Sequence, residues 1–161
     1  ISSSTATTNG CISANVMQIR EANEDDRADI ISLLVQMHED AEFKLSAINP
    51  EKLYNTVVHT VQKGVVFVAE KEEEIIGSIG GLYSSDWWSE EEFLGDLWFY
   101  VYKEKRATGA GLSLIKKFIL SEPNIQVRLG HVYGGDMERK DKFYERLGLL
   151  KAGTYYVTEK K

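Results

Sequence analysis

The chain has 161 residues, 43% hydrophobic and 27% charged, with a net charge of −6 at pH 7 and a single cysteine. That length makes one domain able to bury a core, and the acidic balance excludes the basic face of a nucleic-acid binder. No apolar run reaches the ~20 residues of a membrane span, and the lone Cys11 excludes an internal disulfide or a thiolate metal cluster.

Residues 1–16, "ISSSTATTNGCISANV", carry no charge and are rich in Ser and Thr. They lack the basic start and the apolar core of a signal peptide; with a single cysteine in the chain, cytoplasm is the expected location. They read as a flexible arm, or an appended extension, ahead of a domain at 17–161. A second copy of the chain is one partner such an arm could pack on, making a homodimer. Cys11 has no positioned base beside it in such an arm and reads as non-catalytic.

From Met17 the pattern becomes periodic. "MQIREA" predicts a short strand. Asn23, with Asp26 three residues on, predicts a capped helix start. Ile30, Leu33, Leu34 and Met37 then form one apolar helical stripe. Asn49, Pro50 and Gly64 predict the cap, first turn and stop of a second helix. "VVFVAE" (65–70) and "IIGSIGGLY" (75–83) predict strands joined by the charged turn "KEEE", with glycines that mark a bulge or a close approach. "SSDWWSEEE" reads as a loop and "FLGDLWFYVYK" (93–103) as a long aromatic strand. A helix over 109–120, a strand "IQVRLGHVY" (125–133), a helix "MERKDKFYERLG" stopped by Gly148, and a last strand "GTYYVTEK" complete the chain. Short turns make the three middle strands antiparallel, and the later strand–helix–strand crossover makes its two strands parallel. The fold class is α/β or α+β around a mixed sheet, with no repeat and no second domain.

Arg106-Ala107-Thr108-Gly109-Ala110-Gly111 stands between the strongest strand and a helix. A helix start leaves about four backbone N–H groups unpaired and partly positive. Glycine lets that backbone approach a bulky anion, so a phosphate is its natural occupant. Arg106 adds a charge; the alternative is a plain turn with a glycine-rich helix entry. No Gly-Lys-Ser/Thr follows, so this is not a nucleotide P-loop. Position 114 is Leu, where a dinucleotide fingerprint needs its third glycine.

This loop resembles the Arg/Gln-x-x-Gly-x-Gly/Ala loop of the GNAT superfamily of N-acetyltransferases. "LWFYVYKEKR" is similar to that family's fourth strand, and "KFYERLGLLKAGTYYV" resembles its closing segment. The resemblance covers Met17 to about Thr158 and includes the order of elements. It implies a single domain whose mostly antiparallel mixed sheet, flanked by helices, splays between strands four and five. It implies acetyl-CoA as co-substrate, with no metal. The pyrophosphate would sit on the backbone of Ala107, Thr108, Gly109, Ala110, Gly111 and Leu112. The pantetheine arm would run along Phe99 and Val101, with an oxyanion contact from an N–H near Tyr100 or Val101.

Tyr144 matches the family tyrosine that protonates the departing sulfur; without the resemblance, Phe143 and Tyr144 read as ordinary helix aromatics. The chain departs from the family pattern at Met137, where many members have Asn, at Lys140 and at Leu149. Lys140 could reach a phosphate, or "ERKDK" is a solvated face. The common general-base positions hold Val132 and Gly95, which take no proton, so Asp96, Glu92 and His131 are the nearby candidates. By strand alternation Asp96 shares a face with Trp98 and Tyr100. His38 and His59 lie on separate helices without ligand spacing. In "DWWSEEE", Trp87, Trp88 and Glu90, Glu91 and Glu92 either form a lip that attracts a cationic amine, on a small molecule or a protein, or are a solvated loop with one tryptophan in the core. The expected activity is transfer of an acetyl group to a primary amine by direct attack. The alternative is an acyl-CoA-binding module that has lost the chemistry.

Overall fold

Asn23 opens the first helix. Its side chain accepts from the Asp25 N–H at 2.8 Å, and the Asp26 carboxylate accepts from the Asn23 N–H at 2.8 Å. The two orphan ends satisfy each other, as in a capping box. One turn of 3-10 helix, Glu24–Asp26, precedes the α-helix proper. Asp26 is buried, and Arg20 donates to both of its oxygens at 2.8 and 2.9 Å while also reaching Glu70. The guanidinium holds the Asp26 carboxyl below the usual carboxylate range.

The computed structural model describes residues 16–131 and 135–159. Within them the chain runs β1 (Gln18–Glu21), α1 (Arg27–Asp40), α2 (Pro50–Lys63), β2 (Val65–Lys71), β3 (Glu74–Ser85), β4 (Glu92–Val101), α3 (Ala110–Leu120), β5 (Gln126–Arg128) and α4 (Met137–Arg146). Cys11 with nearly all of the expected arm, and Val132, lie outside the described residues. The strands form one sheet in chain order, antiparallel from β1 to β4, with β5 parallel to β4. This is a single α+β domain on a mixed sheet.

Two apolar cores lie on the two faces of the sheet. Leu114, Ile115 and Phe118 of α3 pack with Phe67, Ile79, Leu94 and Val101. Ile30, Leu33 and Leu34 of α1 and Val57 of α2 pack with Val66, Val68, Trp98 and Tyr100. The Trp98 indole lies against Gly80, where a Cβ would stand 2.4 Å from the ring. Its Nε1–H donates to Ser78 Oγ at 3.0 Å, and that hydroxyl donates to the Phe67 carbonyl at 2.9 Å. A large aromatic is thereby buried with its polar atom satisfied.

Three expectations need correction. β5 spans only Gln126–Arg128 of the predicted 125–133, because the Gly130 N–H turns aside to donate to the Asp96 carboxylate at 3.1 Å. "GTYYVTEK" forms no strand among the described residues, and Leu150, Tyr155 and Tyr156 are exposed. Alternation suits a strand, but a ladder needs a partner edge, and three residues of β5 offer almost none. The third is the face of Asp96, and its cause is a β-bulge at the glycines of β3, where a bulge or close approach was expected. Pairing steps from Gly80↔Trp98 to Gly81↔Asp96, which leaves Leu97 unpaired.

Candidate active site

The bulge decides which face Asp96 occupies. One extra residue inverts the alternation of everything beyond it. Trp98 and Tyr100 point into the core beneath α1 and α2, whereas Leu94 points into the core beneath α3. Asp96 lies two residues from Leu94 and pairs with Gly81, whose Cβ direction meets Phe118 of α3. It therefore shares its face with Leu94, Phe99 and Val101, and not with Trp98 and Tyr100 as simple alternation had it.

β4 and β5 pair only through Phe93↔Gln126, Leu94↔Val127 and Gly95↔Arg128. Past Gly95 the ladder stops among the described residues, and the gap is bridged by the Gly130 N–H, which donates to the Asp96 side chain; we call this end of the strand pair the wedge. The Tyr102 N–H donates to the Ile76 carbonyl at 3.0 Å. Antiparallel pairing repeats that orientation every second residue, so the polar backbone of Tyr100 is spent on β3. Phe99 and Val101 turn theirs to the wedge. Of the two oxyanion donors considered from sequence, Val101 is the one whose N–H faces the opening. Its carbonyl accepts from Arg106 Nε at 3.1 Å, and the guanidinium lies over the Tyr100 ring, 5.5 Å from its centre. Arg106 thus closes the end of β4.

The phosphate-loop candidate forms a 3-10 turn, Lys103–Thr108, followed by Gly109 at φ 81°. That left-handed conformation suits glycine. Thr108 Oγ1 donates to the Lys105 carbonyl at 2.6 Å and accepts from the Ala110 N–H at 3.2 Å. The Ser113 N–H donates to the Gly109 carbonyl at 3.2 Å, closing the first turn of α3. Gly111 and Leu112 are left with N–H groups that have no acceptor inside the helix. Gly111 lies where a Cβ would come within 3.3 Å of the Phe99 ring, so its lack of a side chain seats the helix start against β4.

Tyr144 reaches the same region from α4. Burial, and then the nearby Asp96 charge, push its phenol up to about 12. Asp96 is half-buried, and burial pushes its carboxyl up to about 6 against the opposing pull of the Gly130 N–H. The Tyr144 ring stacks flat on His131, with centres 5.1 Å apart and planes 4° apart. His131 Nε2 lies 3.0 Å from Asp141 Oδ1, and Lys151 Nζ donates to Asp141 Oδ2 at 2.8 Å. Sequence reasoning passed over Asp141 as part of a solvated run. The available signal was its spacing, three residues before Tyr144 on one helix face. Among the described residues, no group of three or more His, Cys, Asp and Glu could hold a metal ion.

Glu92 is exposed at the start of β4, opposite Ser85. Trp87 and Trp88 are 92% and 68% exposed, so neither fills the core. They pack edge to face with ring centres 5.2 Å apart. Asp86 anchors their loop by accepting twice from Arg128, at 2.8 and 2.7 Å, and that guanidinium lies 3.7 Å above the centre of the Phe93 ring. Met137, at the position of the family Asn, is exposed beside Asp136, which caps α4 by accepting from the Arg139 N–H at 3.0 Å.

No protein-family model matches the chain, and no curated protein matches its sequence. Solved structures do match it. A possible acetyltransferase from Clostridium difficile 630 is 25% identical, with 91% of this chain and 98% of that one covered at a TM-score of 0.67. A predicted acetyltransferase from Clostridium acetobutylicum, solved with acetyl-CoA, is 14% identical over 89% of this chain and 96% of that one, at 0.70. AAC(6′)-Iy in complex with the bisubstrate analogue CoA-S-monomethyl-acetylneamine is 14% identical over 91% and 99%, at 0.70.

Proposed function

We infer that this chain, whose fold is that of the GNAT superfamily, is an acetyl-CoA-dependent N-acetyltransferase acting on a cationic primary amine. The observation that supports the reading is the end of β4–β5 pairing at Gly95, which leaves the backbone of Phe99 and Val101 turned away from β3 beside the start of α3, with Tyr144 close enough to Asp96 to feel its charge. In this reading the backbone of Phe99 and Val101 holds the pantetheine amides. The turn from Arg106 through Ala107 and Thr108 to Gly109, together with Ala110, Gly111 and Leu112, receives the pyrophosphate. The free N–H groups of Gly111 and Leu112 and the positive end of α3 supply the attraction.

Acetyl transfer needs a neutral amine, a polarised carbonyl and a protonated leaving sulfur. Asp96 takes the proton from the attacking nitrogen. The Val101 N–H steadies the oxygen on which charge develops as the C–N bond forms. Tyr144 gives its proton to the sulfur as the C–S bond breaks. The two titrating groups have environments suited to these tasks: near neutral pH a carboxyl at about 6 is mostly ionised, and a phenol at about 12 keeps its proton.

Acetyl-CoA is expected to raise the melting temperature by mass action. In Gly111→Val the added bulk presses on Phe99 and covers the helix start, and the shift disappears. An undiminished shift removes the phosphate-loop reading. Release of free thiol from acetyl-CoA across a panel of amines then tests the activity. Binding without turnover on any amine would instead make the chain an acyl-CoA-binding module.

The amine class rests on the acidic, aromatic loop. Glu90, Glu91 and Glu92 draw a cation toward the mouth, and the exposed Trp87–Trp88 pair offers it ring faces. Joint replacement of the three glutamates by Gln is expected to raise the KM of the amine several-fold and flatten its salt dependence, because rim charges act mainly on encounter. kcat should stay within about twofold. A large loss of kcat would move the proton acceptor from Asp96 to Glu92.

A further inference from the structure

We propose that His131 is a positioning residue for Tyr144: it clamps the phenol ring in the wedge while Asp141 and Lys151 clamp it in turn. The inference rests on the reading of Tyr144 as the proton donor. Three contacts converge on the dipeptide Gly130–His131, which leaves β5 just where the sheet splits. The Gly130 N–H donates to Asp96 on β4. The His131 ring lies flat on Tyr144 and reaches Asp141, both on α4. The dipeptide therefore straps the strand that carries the proton acceptor to the helix that carries the proton donor.

A phenol on a helix pivots about two side-chain torsions, and a flat neighbour at stacking distance removes most of that freedom. The neighbour must itself be fixed. His131 Nε2 points its proton at Asp141, and the second Asp141 oxygen is held by Lys151. The opposite ring nitrogen, Nδ1, is buried without a hydrogen-bond partner among the described residues. An imidazole kept only for hydrogen bonding would be a poor occupant of that place. An imidazole kept for its flat face, and steered by one nitrogen, fits it.

The test combines a double-mutant cycle with a readout independent of turnover. His131→Leu is expected to lower kcat about tenfold, a small displacement of a proton donor being enough for that. The KM for acetyl-CoA stays within about threefold, since the cofactor contacts lie on β4 and α3. Placed in Tyr144→Phe, the same change costs less than about twofold, because residues that act through one another are not additive. His131→Phe keeps a flat ring and regains most of kcat. In protein labelled on its tyrosine rings, with Tyr144 assigned by its loss in Tyr144→Phe, the raised phenol titration falls toward the ordinary value near 10 in His131→Leu, because the unclamped ring swings out of its buried position. If Tyr144→Phe turns over at the wild-type rate, the proton-donor reading fails while the titration still decides the clamp. A tenfold loss repeated in Tyr144→Phe, or an unmoved Tyr144 titration in His131→Leu, overturns the proposal.

Discussion

Tyr144→Phe lowers kcat by about 10²-fold and leaves the affinity for acetyl-CoA within a few-fold, the signature of a proton donor that acts in the transition state. The substitution removes one oxygen and keeps the ring, so the stack on His131 and the edge contact with Phe143 survive. Folding should therefore be unharmed, which a thermal melt checks. What is lost is the proton for the thiolate. The phenol is well placed to keep that proton until it is needed: burial and the Asp96 charge both disfavour the phenolate and hold the group up at about 12. Turnover near the wild-type rate would reduce Tyr144 to a packing residue and pass the proton to water.

Asp96→Asn has the second large effect, and it separates activity from stability. Activity first: the carboxylate is the active form, so kcat/KM rises with pH through about 6 in the wild type. Asn cannot take a proton, so the rate falls by about 10²-fold or more and the acidic limb disappears. Stability moves the other way. The folded state raises the carboxyl from 3.8 to about 6. Its protonated form is favoured by folding, and that contribution is fully present below about 4 and lost as pH rises through about 6. Above that range the ionised carboxylate is a burden of at most about 3 kcal/mol. Asn retains an oxygen for the Gly130 N–H and carries no charge. Asp96→Asn should therefore melt higher than wild type at pH 8, with the gain shrinking toward pH 4. An acidic limb that survives in the variant would take the base role from Asp96. A lower melting temperature at pH 8 would mean that the carboxylate is paired by a charge rather than merely buried.

Local chemistry was legible in the chain. Asn23 with Asp26, and Asn49 with Pro50, carry helix starts in a few adjacent residues, and the structure places both caps there. Gly64 and Gly148 mark helix ends for the same reason. The β2–β3 turn was read from "KEEE", although its left-handed residues are Glu72 at φ 53° and Glu73 at φ 64°, where Gly or Asn is more usual. The order of elements, the antiparallel middle of the sheet and the parallel final crossover followed from spacing and turn length. The Gly-x-Gly helix entry was visible because a helix terminus needs no distant partner to expose its N–H groups.

What only the tertiary structure decided depends on pairs far apart in sequence. The bulge at Leu97 arises because β3 brings Gly80 and Gly81, with no Cβ, against the bulk of Trp98 and the carbonyl of Gly95. No pattern within β4 announces it, yet it turns Asp96 from the face of Trp98 to the face of Phe99. The end of β5 coincides with Asp96 capturing the Gly130 N–H, a contact across 34 residues, and so short a β5 offers the last segment almost no edge to pair with. Tyr144 was recognised by resemblance, but its partners were not, since His131, Asp141 and Lys151 meet only when α4 docks beside the end of β5. Sequence by itself determined where the helices start and where one helix entry exposes its N–H groups, because backbone caps and hydrophobic period act within a turn or two. The fold alone determined which side chains face one another in the wedge, because a single unpaired residue inverts a strand and nothing local records which strand will lie beside it.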